Sequence, residues 1–122
     1  MKRRETGALG ERIAREFLGE NGYDILETNY RCPDGEIDII ARQRETLVFV
    51  EVRTKKSWSF GGPEESLTVR KQERLIKLAE QYGQSHDNLP ETWRIDVVAI
   101  KMGSSGKIDR IEIIENAIDG TY

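Results

Sequence analysis

The chain has 122 residues, of which 37% are hydrophobic and 34% are charged, and its formal net charge is −3. This length is enough for one hydrophobic core and too short for two, so we expect a single domain over residues 1–122. Every apolar run is far shorter than the roughly 20 residues of a membrane helix, and the basic N-terminus lacks the apolar segment of a secretory signal. The single cysteine excludes an intramolecular disulfide and favours a cytoplasmic protein. One cysteine and one histidine together are too few for the usual zinc ligand sets.

A first helix is predicted over residues 6–21, with Thr6 as the N-cap and Gly22 just beyond the end. Gly7 and Gly10 fall on its apolar side, where missing side chains allow close packing. The apolar stripe of this helix consists of Ile13, Ala14, Phe17 and Leu18.

One acidic residue of this helix, Glu11, lies seven residues before Leu18 and therefore at the margin of the apolar stripe. From there its carboxylate could reach a site at the edge of a sheet. It could equally complement the helix dipole or pair with Arg15 one turn later.

Three strands are predicted next, over residues 23–30, 37–40 and 47–52, because these runs are rich in β-branched and apolar residues. A turn at residues 32–35 separates the first from the second. The polar residues 43–46 lie between the second and the third, which indicates a β-hairpin.

The hairpin register decides where two carboxylates lie. A loop of two or four residues centred on Arg44 and Glu45 sets Asp38 opposite Glu51 on one face of the hairpin, with Cβ atoms roughly 4.5–5.5 Å apart. A loop of odd length would turn them to opposite faces.

Two facing carboxylates among apolar residues are costly, because like charges repel and burial removes hydration. A hard divalent cation or a shared proton would relieve the repulsion. Alternatively, Asp38 or Glu51 lies in water at a strand end. The same register places Glu36 opposite Arg53 as a potential ion pair.

A second helix is predicted over residues 69–82, with Thr68 as the N-cap and Gly83 as the residue after the last turn. Lys71 falls on the packed side of its first turn, where lysine needs a partner or must extend outward to water. The apolar stripe consists of Leu75, Leu78, Ala79 and Tyr82.

Two final strands are predicted over residues 93–101 and 108–114, joined by a turn at residues 103–106. Arg94 and Asp96 share a face of the first of them, which indicates a structural ion pair. The full order is α-β-β-β-α-β-β, typical of an α/β domain with a central mixed sheet flanked by helices and at least one parallel crossover.

Basic residues concentrate in the middle of a chain that is acidic overall. Such a patch can engage phosphates locally, although a charge run is also common on a solvated helix face. The residues that would contact nucleic acid are Arg53, Lys55, Lys56, Arg70, Lys71 and Arg74.

Several short motifs together resemble the YraN family, also called UPF0102, over nearly the whole chain. The family is similar to archaeal Holliday-junction resolvases and to the restriction-endonuclease-like fold. The resemblance is carried by Gly10-Glu11, Gly22-Tyr23, Asn29-Tyr30-Arg31, Gly35-Glu36-Ile37-Asp38, Phe49-Val50-Glu51-Val52, Phe60-Gly61, Lys71 and Arg94-Ile95-Asp96-Val97-Val98.

This resemblance implies an Mg²⁺- or Mn²⁺-dependent endonuclease acting on branched or structured DNA. Asp38 and Glu51 match its metal-binding acids, Glu11 matches the acid of the first helix, and Lys71 matches a basic residue of the second. Because junction resolvases work as dimers, the resemblance also implies a homodimer.

The chain departs from this pattern at Arg53, which stands where the family's motif has a lysine. Arginine stays protonated and cannot act as a base, although it can clamp a phosphate. The site could therefore use Lys55 or Lys71 as a relocated lysine, work slowly on metal alone, or bind without cutting. The alternatives to a nuclease are a non-catalytic nucleic-acid-binding or adaptor module, and a structural ion network whose function lies in a protein partner.

Overall fold

The computed structural model describes residues 3–55 and 67–118, which form a five-stranded sheet with a helix on each face. The elements in chain order are α1 (Arg3–Glu20), β1 (Asp24–Cys32), β2 (Gly35–Gln43), β3 (Thr46–Lys55), α2 (Val69–Ser85), β4 (Thr92–Met102) and β5 (Ile108–Ile114). The strands lie side by side in chain order; β3 and β4 are parallel, and the other neighbours are antiparallel. The predicted α/β class, element order, mixed sheet and parallel crossover are confirmed.

The hairpin of β2 and β3 has the predicted register. Its two-residue turn begins at Arg44, whose φ is +55°, and the ladder runs from there to the pair Ile39 and Val50. Asp38 and Glu51 are the next positions along the two strands, directly beyond the last pair. An even loop therefore brings the two carboxylates to the same end of the hairpin.

The two helices cover opposite faces of the sheet. Ala14 and Leu18 of α1 are fully buried against one face, while the predicted stripe of α2, including Leu75 and Leu78, is buried against the other. The central strands are consequently apolar on both sides, as the hairpin sequence indicated. Neither helix of the described residues is long and apolar enough to cross a membrane.

Helix α1 begins earlier than predicted, so Thr6 lies inside it and is not its N-cap. It ends at Glu20, one residue before the predicted end, and Gly22 follows with a φ of +85°, which suits a glycine after a last helical turn. Gly10 makes the predicted close approach, since a Cβ there would lie 2.5 Å from Thr54 Oγ1 on β3. For Gly7 the prediction of close packing is wrong, because a Cβ there would meet no described atom within 4 Å.

Helix α2 begins as predicted, with the Thr68 hydroxyl accepting a hydrogen bond from the Lys71 N–H at 3.1 Å. It continues past Gly83, which lies inside the helix and not after it. His86 is the C-cap, and its ring stacks on Tyr82 with centroids 3.8 Å apart. The helix therefore ends at Ser85, three residues beyond the predicted end.

A buried polar network connects Tyr23, the residue just before β1, with β4 and the segment after β5. Asp96 has 0% exposure, and its carboxylate accepts hydrogen bonds from Arg94 Nε at 2.8 Å, the Tyr23 hydroxyl at 2.8 Å and the Asn116 N–H at 2.9 Å. Arg94 also donates to the side chain of Gln43. The predicted ion pair of Arg94 and Asp96 is confirmed, and it is one part of a larger cross-link.

Candidate metal centre

The site forms where β2 and β3 stop pairing. Directly beyond the Ile39–Val50 pair, the carboxylate of Asp38 accepts a hydrogen bond from the Val52 N–H at 2.8 Å. The side chain of Asp38 is thus the acceptor for a backbone N–H of the neighbouring strand. This bond holds Asp38 between the two strands at the end of the hairpin.

Two further carboxylates join Asp38. One ligand oxygen each from Glu11, Glu36 and Asp38 can be chosen so that all three lie within 4.8 Å of one another, and all three residues are half-buried. Glu11 reaches the group because its neighbour Gly10 lets α1 approach β3 closely. Glu36 lies opposite Arg31 in the ladder of β1 and β2, with 3.5 Å between Arg31 Nε and Glu36 Oε2.

Glu51 lies beside this group of three. Only 7% of it is exposed, and its Oε1 is 3.8 Å from Lys71 Nζ. Lys71 therefore has the partner that its position on the packed side of α2 requires. Of the predicted metal ligands, the structure groups Glu11 with Asp38, adds Glu36, and places Glu51 next to them in an ion pair.

Burial and mutual repulsion make the ionised carboxylates unfavourable. Burial raises the pKa of Asp38 to about 7, with the charge of Glu51 as the next largest cause, and Glu11 and Glu36 add to it against the opposing hydrogen bond from the Val52 N–H. Burial also raises the pKa of Glu51, against the lowering effects of Lys71 and Arg53. A cation in the group would favour the ionised forms.

The chemistry of this group suits a hard divalent cation. Its three residues offer only carboxylate oxygens, which are the ligands of Mg²⁺, Mn²⁺ and Ca²⁺, whereas zinc and copper sites use imidazole or sulfur. Three half-buried carboxylates would supply part of a coordination shell and leave positions open to water and substrate. The donor set therefore fits the predicted Mg²⁺ or Mn²⁺.

The acidic group borders an open cleft of about 1060 Å³. Arg53 and Lys55, from the last residues of β3, line the same cleft as Glu11, Asp38 and Glu51. Positive and negative side chains of the predicted site thus meet around one volume. Such a volume can hold a phosphate group next to a cation.

The remaining predicted basic residues lie on or near α2. Lys71 is half-buried against Glu51, while Arg70 and Arg74 are exposed along the helix. Lys56 lies outside the described residues.

Sequence reasoning missed two parts of this site. Glu36 was assigned to an ion pair and not to the metal group, although its position two residues before Asp38 puts it on the same strand face. The turn of residues 103–106 lines the cleft because β4 is parallel to β3, so their C-terminal ends lie together. No local sequence signal could have shown this, since it depends on the order of strands in the sheet.

The fold and the site define an α/β domain with a carboxylate-lined cleft at one end of a mixed sheet. Residues 10–100 match the sequence model of the family described as "Uncharacterised protein family UPF0102", and the chain belongs to this family. A UPF0102 protein of Moorella thermoacetica is 46% identical over 117 residues, covering 96% of this chain and 98% of the relative. One of Dehalococcoides mccartyi is 46% identical over 116 residues, covering 95% and 94%. The resemblance drawn from the sequence is confirmed.

Among solved structures, that of Pyrococcus furiosus SfsA in complex with Ca²⁺ is similar to this chain. The two are 18% identical with a TM-score of 0.40, and the match covers 95% of this chain. It covers 64% of the SfsA chain, which is therefore the longer of the two.

Proposed function

We propose that the protein is a metal-dependent, endonuclease-like phosphodiester hydrolase that acts on DNA. The observation that carries this proposal is the convergence of Glu11, Glu36 and Asp38 within 4.8 Å of one another, at a cleft also lined by Arg53 and Lys55. The acids would hold a cation and the basic residues would hold a phosphate. Branched or otherwise structured DNA is the substrate that the family resemblance implies.

Each residue has a distinct role in this proposal. Glu11, Glu36 and Asp38 would ligate Mg²⁺ or Mn²⁺, with Glu51 beside them to complete or orient the shell. The metal supplies activation of water and stabilisation of charge on the phosphate oxygens. Arg53 would clamp the phosphate, because a permanently protonated guanidinium donates in a bidentate manner but cannot accept a proton.

Two lysines of this chain can take the place of the motif lysine that Arg53 replaces. Lys55 lines the cleft directly, and Lys71 lies 3.8 Å from the carboxylate of Glu51. Arg70 and Arg74 would extend the positive surface along the bound DNA, and Lys56, outside the described residues, stays a predicted phosphate contact. A homodimer belongs to the proposal as well, and sedimentation equilibrium would test it.

Two observations favour a second function. Lys71 pairs with Glu51, and Arg53 replaces the lysine that would stand near the attacking water. A protein with these features could bind DNA through its basic residues without cutting it. This second proposal is a non-catalytic nucleic-acid-binding or adaptor module that retains the fold.

Calorimetric titration with Mg²⁺ and with Mn²⁺ tests the metal centre first. The wild type should bind one of them, Asp38→Asn should abolish binding, and Glu16→Gln, at an exposed acid on α1, should bind like wild type. Cleavage of branched, flapped and single-stranded DNA is then assayed with the same variants. Wild-type protein that binds no metal, even with DNA present, would refute the nuclease; metal and DNA binding without cleavage would support the binding module.

A further inference from the structure

Gly7 is an exposed glycine in the interior of α1, one helical turn before Glu11. It lines the cleft together with Glu11, Asp38 and Arg53. The surface of α1 next to the acidic group is therefore bare backbone.

The fold of the described residues gives no reason for a glycine here. A Cβ at Gly7 would meet no described atom within 4 Å, and the positive-φ glycines do not include it. Glycine in a helix interior is less stable than alanine, because it loses more backbone freedom on folding. Gly7 thus weakens the helix, and within the described part of the chain it makes no close contact that requires a glycine.

The other two glycines of α1 provide a comparison. Gly10 is required by the approach of Thr54, whose Oγ1 would lie 2.5 Å from an added Cβ. Gly19, in the last turn of α1, resembles Gly7 because a Cβ there would also meet no described atom within 4 Å, but it does not line the cleft. Among the described residues, Gly7 is therefore distinguished from Gly19 by its position in the cleft.

The turn of residues 103–106 also lines the cleft, and its Ser104 and Ser105 are exposed. Hydroxyl groups and turn N–H groups are neutral donors of the kind that proteins direct at nucleic-acid phosphates. Small residues at Gly7 and in this turn leave space for a polymer strand beside the carboxylates.

We propose that Gly7 is a substrate-binding position at which the sugar-phosphate backbone of the bound strand passes over α1 in van der Waals contact. The nucleic-acid strand then lies between α1 and the turn of residues 103–106, with a phosphate next to the carboxylates of Glu11, Glu36 and Asp38. This inference rests on the proposed function, because it places a nucleic acid in the cleft. A side chain at position 7 would occupy the space that the strand needs.

The test uses a change that should improve the fold while it harms binding. In Gly7→Ala and Gly7→Leu, both new residues favour helices, so the melting temperature should rise by a few degrees. The matched controls are Gly19→Ala and Gly19→Leu, on the same helix and away from the cleft. Binding is measured by fluorescence anisotropy with a labelled four-way junction and a labelled single-stranded oligonucleotide, in Ca²⁺.

The proposal expects affinity to fall by about tenfold for Gly7→Ala and further for Gly7→Leu, with both Gly19 variants binding like wild type. Wild-type affinity in the Gly7 variants would overturn this inference but not the proposed function, since the protein would still bind DNA. A lower melting temperature in Gly7→Ala would also overturn it, because the glycine would then have a structural role. If wild type itself binds neither probe, the proposed function fails and this inference fails with it.

Discussion

The carboxylate of Asp38 accepts a hydrogen bond from the backbone N–H of Val52 at 2.8 Å, directly beyond the last pair of the β2–β3 ladder. One bond therefore positions the central acid of the site relative to the strand that carries Glu51, Arg53 and Lys55. The placement is made by backbone geometry, so it does not depend on a bound cation.

The stability of the metal-free protein should fall as pH rises from about 4 to about 7. Burial raises the pKa of Asp38 to about 7, above its value in the unfolded chain, so the folded state retains a proton that the unfolded state releases in this window. A single group gives a slope of at most about 1.4 kcal/mol per pH unit. Urea denaturation of wild type and Asp38→Asn in chelator measures the slopes, and equal slopes would contradict the prediction.

Gly10→Ala should reduce both stability and metal affinity. The new Cβ would lie 2.5 Å from Thr54 Oγ1, so α1 must move away from β3 or Thr54 must rotate, at a cost of about 1 kcal/mol or more. A shift of α1 also moves Glu11 away from the other two carboxylates. Gly10→Ala combined with Thr54→Ala should recover most of the loss in both denaturation and calorimetry, whereas an additive double variant would exclude this contact as the cause.

Lys71→Met should destabilise the protein by about 1–2 kcal/mol, because it leaves the buried carboxylate of Glu51 without the positive charge of Lys71. This cost is smaller than that of breaking a fully buried ion pair, because Lys71 is partly exposed and its Nζ lies 3.8 Å from Glu51 Oε1. In the Glu51→Gln background the same change should cost much less. A double-mutant cycle by urea denaturation measures this coupling, and a coupling near zero would show that the pair does not contribute.

Asp96→Ala should destabilise the protein by about 3–5 kcal/mol, since Asp96 is fully buried and accepts hydrogen bonds from Tyr23, Arg94 and Asn116. Tyr23→Phe removes one donor and should cost about 1 kcal/mol. Thermal denaturation measures both. Metal affinity of the folded Tyr23→Phe protein should equal that of wild type, and a loss of affinity would mean that this network extends to the metal centre.

The salt dependence of DNA binding should report the exposed basic residues of α2. Replacing Arg70 and Arg74 by Gln removes two charges, so the slope of log K against log salt should become less steep by about 1.8 if both contact phosphates. Arg44→Gln, at an exposed residue in the β2–β3 turn and at the far end of the hairpin from Asp38, serves as the control and should leave the slope unchanged. An unchanged slope in the α2 double variant would place the DNA away from this helix.

The sequence by itself determined the architecture of this protein and most of its candidate site. The alternation of apolar runs and turn residues defined the five strands, and an even loop at Arg44 was enough to align Asp38 with Glu51. The hairpin could be read in this way because register follows from loop length and from a side-chain period of two, both of which are local.

Only the tertiary structure decided which acids come together. Glu36 joins Glu11 and Asp38 because α1, β1 and β2 converge at one end of the sheet, while Glu51 turns to Lys71 on α2. The turn of residues 103–106 reaches the cleft because β4 lies parallel to β3. These contacts join segments far apart in the chain, and their geometry depends on how helices dock on a twisted sheet, which no local pattern encodes.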